Sequence, residues 1–374
     1  MVSKKFKRLT LVGAIVIVAA AAVGYVMFSR SRSSEGVLPL PIEPTKRLIA
    51  VKVNDKWGFI DNQGNIVIDP QFEDVDDFHE GLARVLVSHK WGYVDETGKF
   101  VINPQFEVAG SFSEGLAYVH VGGKWGYVDT TGKLVIPPQF DSADRFSQGL
   151  ARIQIGEKSG YIDRSGKLVI NPQFDSADDF AEGLARVEIG NRSGYIDKTG
   201  RFVINPQFEW AVSFSEGLAW VVPRSASGAP NTVGFIDRSG ATVIKPQFDD
   251  AGDFHEGLAW FRLGDRYGYI DKSGKIVINP QFEECGDFSR EGLAWVRVGG
   301  KYGYIDRSGK MVITPQFDGA GDFVDGLAAV RVSQRCGFID KNGKFVINPQ
   351  FDDTKALRVT NNALPSEGKT VEGD

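Results

Sequence analysis

The chain is poor in the residues that usually carry chemistry. Its 374 residues include two cysteines, three methionines and four histidines. Cys285 and Cys336 stand at different points of the surrounding pattern, so they give neither a disulfide framework nor a zinc-ligand spacing. They are expected to act as small apolar fillers. No Ser-His-Asp order, paired-carboxylate motif or nucleotide fingerprint occurs. The sequence therefore offers no catalytic residue and no cofactor, and a non-catalytic protein is expected. A basic surplus is also missing: 43 Lys and Arg face 48 Asp and Glu, a net charge of −5. Such a chain has no positive field for nucleic acid. Nor does any apolar run after the N-terminus follow the 3.6-residue period, and 44 glycines and 16 prolines interrupt it throughout. That excludes a helical architecture.

What is present is repetition. Residues 90–106 read KWGYVDETGKFVINPQF and residues 124–140 read KWGYVDTTGKLVIPPQF. Further copies stand at 56–72, 158–174, 192–208, 233–248, 266–282, 301–317 and 335–351, nine in all. A period of this length replaces a domain count by one array, because a single unit is too small to bury a core. The array is placed at 48–351. Before it, Lys4, Lys5, Lys7 and Arg8 precede LTLVGAIVIVAAAAVGYVMF, which Arg30 and Arg32 close. The run is as long as a bilayer's hydrocarbon layer requires and longer than the core of a cleaved signal peptide. Residues 1–29 are read as a basic segment and transmembrane anchor, with a signal peptide as the alternative. The larger basic cluster precedes the run, which keeps the N-terminus in the cytoplasm and exports the repeats. Residues 30–47 form a Ser- and Pro-rich tether. Residues 352–374 have little apolar content and are read as a disordered tail.

Within a unit, apolar runs of four to six residues alternate with turn signals, as in LAYVHV, KWGYVD and LVI around residues 116–136. They are read as antiparallel strands joined by hairpins. Asp61, Asp95, Asp129, Asp163, Asp197, Asp237, Asp271, Asp306 and Asp340 each stand three residues before a glycine. Asp suits capping of the turn through its side chain, and glycine suits a left-handed residue within it. The glycine after the Trp position, Gly58 through Gly337, marks a bulge or a close approach. In the Pro-Gln-Phe triplet, Pro is read as the end of the preceding strand. The triplet's Phe, and a second Phe six residues on, are read as the glue between units.

The pattern KWGYID…GK.VI.PQF…F.EGLA resembles the WG-repeat, or KWG-repeat, family of bacterial proteins over 48–351. It is similar, more weakly, to the cell-wall-binding repeats of bacterial surface proteins. The first resemblance implies an exported β-rich repeat protein with an interaction role and carries no catalytic motif. The fold class expected is all-β: nine antiparallel β-meander units plus one N-terminal transmembrane helix. The connection NPQFDSADRFSQG has room for a short fourth strand, which would make each unit a propeller blade. A propeller-like ring is preferred because the first and last copies lack the atypical look of solenoid caps, and a β-solenoid is the alternative.

Function is sought where the copies differ. One column of the strand G-L-A-x-V-x-V reads Arg84, Tyr118, Arg152, Arg186, Trp220, Trp260, Trp295. Aromatic faces stack on sugars and guanidinium groups hold acidic groups, so these seven residues are the candidate ligand-binding set. The competing reading packs the Trp between units with Arg side chains lying over them. A long loop, VVPRSASGAPNTVG at 221–234, follows Trp220 and is a second candidate. The acidic stretches EDVDDF, DSADDF and DDAGDF raise calcium, but EVAGSF and EWAVSF lack the acids, so no metal site is assigned. His79 and His255 are read as surface variants. The expected role is protein–protein scaffolding in the cell envelope, with wall or surface polysaccharide binding through the Trp and Arg column as the alternative and a propeller enzyme a distant third.

Overall fold

In a computed structural model of the protein, which describes residues 47–224 and 232–357, the strands of each unit pair in sequence order. The chain divides into Met1–Lys46 and Arg47–Asp374, and only the second is described. The expected transmembrane helix at the N-terminus lies outside the described residues. Among those residues, no helix is long and apolar enough to cross a membrane.

The fourth unit shows the plan. Inner strand Ser142–Ser147, second strand Leu150–Ile155, third strand Lys158–Asp163 and outer strand Leu168–Phe174 form one antiparallel sheet. Leu150 faces Asp163 and Ile155 faces Lys158 in the central hairpin. This is a propeller blade, and nine of them follow one another. Blades 5 and 6 share the long strand Phe202–Ala211, which serves one as outer strand and the other as inner strand.

Local chemistry fixes each turn. The Asp163 carboxylate accepts the N–H of Ser165 at 2.9 Å, its hydroxyl at 2.6 Å and the N–H of Lys167 at 3.1 Å. Gly166 closes the turn onto the Asp163 carbonyl and takes φ +84°, a conformation open to glycine without steric cost. The hydroxyl and amide donors hold the Asp163 carboxyl below the usual range. The glycine after the Trp position has a different reason. A Cβ on Gly160 would stand 2.6 Å from both the carbonyl oxygen of Ile170 and the nitrogen of Pro172. The outer strand bulges over the glycine, as the register jump from Ser159–Phe174 to Tyr161–Ile170 records. Pro172 therefore does not end a strand, as the sequence suggested; it lies inside the outermost one. There its missing N–H falls on an edge that no strand pairs with, and it blunts that edge against another chain.

Blades adhere through their faces. Tyr161, Ile170 and Phe174 of blade 4 pack on Ala177, Phe180, Val187 and Ile196 of blade 5. Tyr161 and Phe180 stack with ring centroids 4.9 Å apart, and the Tyr161 hydroxyl donates to the Asp178 carbonyl at 2.7 Å. Both Phe columns are thus interblade core.

The ring closes through its two ends. Blade 1 supplies Ile49–Val53, Lys56–Ile60 and Ile66–Phe72 from the start of the array, and its inner strand, Asp353–Thr354, comes from the other end. Val51 faces Thr354 and Lys52 faces Asp353. Ile49, Val51 and Ile60 of blade 1 pack with Phe338, Ile347 and Phe351 of blade 9. The Lys355 ammonium reaches the Asp74 carboxylate at 2.6 Å and lies 4.6 Å above the Trp57 ring. The tail expected from residue 352 consequently begins later: 352–357 are the closing strand and a turn of 3-10 helix. Their low apolar content hid them, because their bonds are mostly backbone and ionic.

Candidate functional site at the propeller mouth

Inner strands converge on the ring centre, and there the copies diverge most. The position four residues after the Pro-Gln-Phe ring is Asp in blades 2, 4 and 5. Each of these faces an Arg of the second strand: Arg84–Asp76 at 2.6 Å, Arg152–Asp144 at 2.6 Å and Arg186–Asp178 at 2.7 Å. In three of the four blades where that position is glycine, its neighbour is an aromatic ring: Gly110 with Tyr118, Gly252 with Trp260, Gly286 with Trp295; Gly321 of blade 9 instead lies against the Ala356 carbonyl of the closing segment. A Cβ on Gly286 would lie 2.1 Å from the Trp295 indole nitrogen. In six blades this interblade space is filled in one of two ways, by an ion pair or by a ring against bare backbone.

The seven residues of the expected ligand column fall in different settings, with Arg84, Tyr118 and Trp260 also lining cavities. Trp220, Trp260 and Trp295 are 1, 7 and 2% exposed, each in the core between its blade and the next. Stacking on a sugar needs an open aromatic face, which Trp220 and Trp295 lack; Trp260 reaches the wall of a cavity beside blades 7–9. Tyr118 is half-buried against Gly110, and burial pushes its phenol up. Arg84, Arg152 and Arg186 spend their guanidinium groups on their own blades' carboxylates. Replacing Gly286 by Ala should cost about 1–3 kcal/mol by overpacking, read as a lower urea midpoint at unchanged slope. The alternation was visible in the sequence as Asp with Arg and Gly with Trp, eight or nine residues apart. The candidate loop lies partly outside the described residues, at 225–231, and its stems Leu218–Pro223 and Val233–Asp237 belong to the hairpin between second and third strands.

One residue further along, the column reads Asp77, Ser111, Arg145, Asp179, Ser213, Asp253, Asp287, Asp322. Its two halves differ. Beside blades 2–5 a cavity of about 450 Å³ includes Asp76, Asp144 and Asp179 against Arg84 and Arg145. Arg145 meets Asp179 at 2.8 Å, so these charges are largely matched. Beside blades 7–9 a cavity of about 540 Å³ carries Asp253, Asp287, Glu291, Asp322 and Asp325 against Arg290 and His255. His255 Nε2 stands 3.5 Å from the Asp287 carboxylate; the histidine is exposed, as read from the sequence, and it also lines the cavity. Burial raises the Asp287 carboxyl to about 6; a charged His255 opposes the shift, while Asp322 and Asp253 add to it. Burial raises Asp322 in the same direction. Of the three acidic stretches singled out in the sequence, only DDAGDF reaches this wall, through Asp253; Asp287, Glu291, Asp322 and Asp325 lie outside them. Among the described residues, no group of three His, Cys, Asp or Glu is placed to hold a metal ion. Arg290 is an insertion that lengthens one hairpin and makes the seventh spacing 35 residues, a signal that sequence reasoning passed over.

The site belongs to a propeller whose nine blades come from one repeat. The chain belongs to the WG containing repeat family, whose model matches at 57–90, 91–125, 125–158, 160–192, 194–222, 234–267, 267–302, 302–336 and 337–358. No curated protein matches the chain. Among solved structures it is similar to a eukaryotic initiation factor, at TM-score 0.58 and 10% identity over 83% of this chain and 96% of that one. It also matches the dihydro-heme d1 dehydrogenase NirN in complex with DHE, at TM-score 0.43 and 13% identity over 73% and 74%. Kluyveromyces lactis Hsv2p matches at TM-score 0.41 and 8% identity over 67% and 99%. At these identities the first likeness is one of fold alone.

Proposed function

We propose that the protein is a non-catalytic binding protein of the bacterial cell envelope, held by the apolar run at 9–28, whose propeller mouth takes a basic segment of a partner protein. The observation that carries this reading is the charge imbalance of the cavity beside blades 7–9. Five carboxyl residues line it against the single guanidinium of Arg290. Carboxylates held on a half-buried concave wall attract Lys and Arg more strongly than the same charges on open surface, because solvent screens them less. Scaffolding is favoured over polysaccharide stacking because the three Trp are core. Truncating them would open cavities between blades rather than report on a ligand.

The test uses the full-length chain and fluorescent octalysine at pH 7.5. Saturable binding is expected that weakens steeply between low and high salt. The variant Asp253→Asn/Asp287→Asn/Asp322→Asn should lose about tenfold or more in affinity, as expected when charge-assisted contacts are removed. Equal affinity of parent and variant, both folded by circular dichroism, would sink the reading.

A further inference from the structure

The carboxylates of the cavity beside blades 7–9 do not share one environment. Asp287 sits between Asp253 and His255 of blade 7 and Asp322 and Asp325 of blade 9, with Ser289, Arg290 and Glu291 of its own hairpin at the rim. Tyr269 and Cys285 lie beneath it, both buried and both held in their neutral forms by desolvation. Among the described residues, His255 is the one basic side chain paired with it within 4 Å, and the pair is ionic when the imidazole is protonated. Three aspartates of consecutive blades thus share a partly desolvated wall. Like charges in such a setting take up a proton sooner than isolated ones.

We propose that the basic-segment site of blades 7–9 is a proton-controlled switch: mild acidification neutralises Asp287 within its cluster of aspartates, and the site releases its cationic partner. The inference rests on the function proposed above and adds its regulation. The raised carboxyl of Asp287 places the response near pH 6, well above the range of an ordinary aspartate. The sign for stability is opposite to that for binding. The folded state holds a proton on Asp287 that the unfolded state has lost, so this group's contribution to stability is present at low pH and disappears as pH rises through about 6.

The experiment measures octalysine binding to the full-length chain from pH 5.0 to 8.0 at constant ionic strength. Lysine stays protonated throughout that range, so any response belongs to the protein. Affinity should fall about tenfold between pH 7.5 and pH 5.0. In Asp287→Asn, a neutral isostere of the protonated form, affinity at pH 7.5 should already be low and the pH response small. In parallel, carbon-detected magnetic resonance should show the Asp287 carboxyl titrating near pH 6 in the parent. His255→Gln should move that midpoint upward by removing the favourable cation. Salt-sensitive binding that is equal at both pH values would overturn the switch and leave the binding site standing. A carboxyl midpoint near pH 4 would overturn it also. Absence of octalysine binding at every pH would remove both the switch and the site.

Discussion

Alanine at position 160 is expected to destabilise the propeller by about 3 kcal/mol or more, through a single added methyl group. The new carbon would lie 2.6 Å from the carbonyl oxygen of Ile170, 2.6 Å from the nitrogen of Pro172 and 2.9 Å from the carbonyl carbon of Asn171. All three are backbone atoms, so no rotamer change relieves the contact. Either the outer strand lifts from the third strand, or the bulge over residues 171–173 is ironed out. Lifting breaks the ladder that pairs Ser159 with Phe174 and takes the buried Phe174 out of the interface with blade 5. Chemical denaturation of purified Gly160→Ala checks the expectation, and an unchanged midpoint would show that the bulge is soft. The same close approach recurs at Gly126 and Gly268, so alanine there should behave alike.

Removal of residues 352–374 should be more damaging still. It deletes the inner strand of blade 1, and with it the Thr354 hydroxyl that donates to the Ala50 carbonyl at 2.7 Å. It also removes the Asp352 carboxylate that accepts the Asn54 N–H at 2.7 Å, and the ammonium of Lys355. What remains is an open array with an exposed strand edge on Ile49–Val53, a template for pairing with another chain. The expected result is loss of the single cooperative unfolding transition, together with aggregation of the purified protein. Lys355→Met should be far milder, because it keeps the volume over Trp57 and leaves only the half-exposed Asp74 without its partner. A truncated chain that melts as sharply as the parent would mean that the ring does not depend on this closure.

Much of the fold was legible. The repeat, its strands and its Asp–Gly turns follow from spacing and turn chemistry, since both depend on neighbours a few residues apart. The place of proline was not: Pro172 reads locally as a strand breaker, and the bulge that accommodates it needs Gly160 on the adjacent strand. The Trp column misled for a related reason. Alternation along Leu218–Pro223 separates two faces of a sheet, and in an ordinary sheet one face meets solvent. In a propeller both faces of a blade are covered by neighbours, so Trp220 and Val221 are alike buried. The acidic wall escaped notice because its members are 34 and 35 residues apart. Only the stacking of blades 7, 8 and 9 brings Asp253, Asp287 and Asp322 to one cavity.

The composite first blade also sets an order of events in time. Ala50 and Thr354 are hydrogen-bonded across 304 residues of sequence. At about 5–20 residues per second of synthesis, the strand Ile49–Val53 waits roughly 15–60 s for its partner to be made. Eight blades can assemble by stacking on their predecessors during that interval, each contact spanning little more than one repeat. The blade begun first is finished last. Until the closing strand is synthesised the chain remains an open run of blades that can still be drawn out lengthwise, and the few residues from Asp353 to Leu357 convert it into a ring with no beginning.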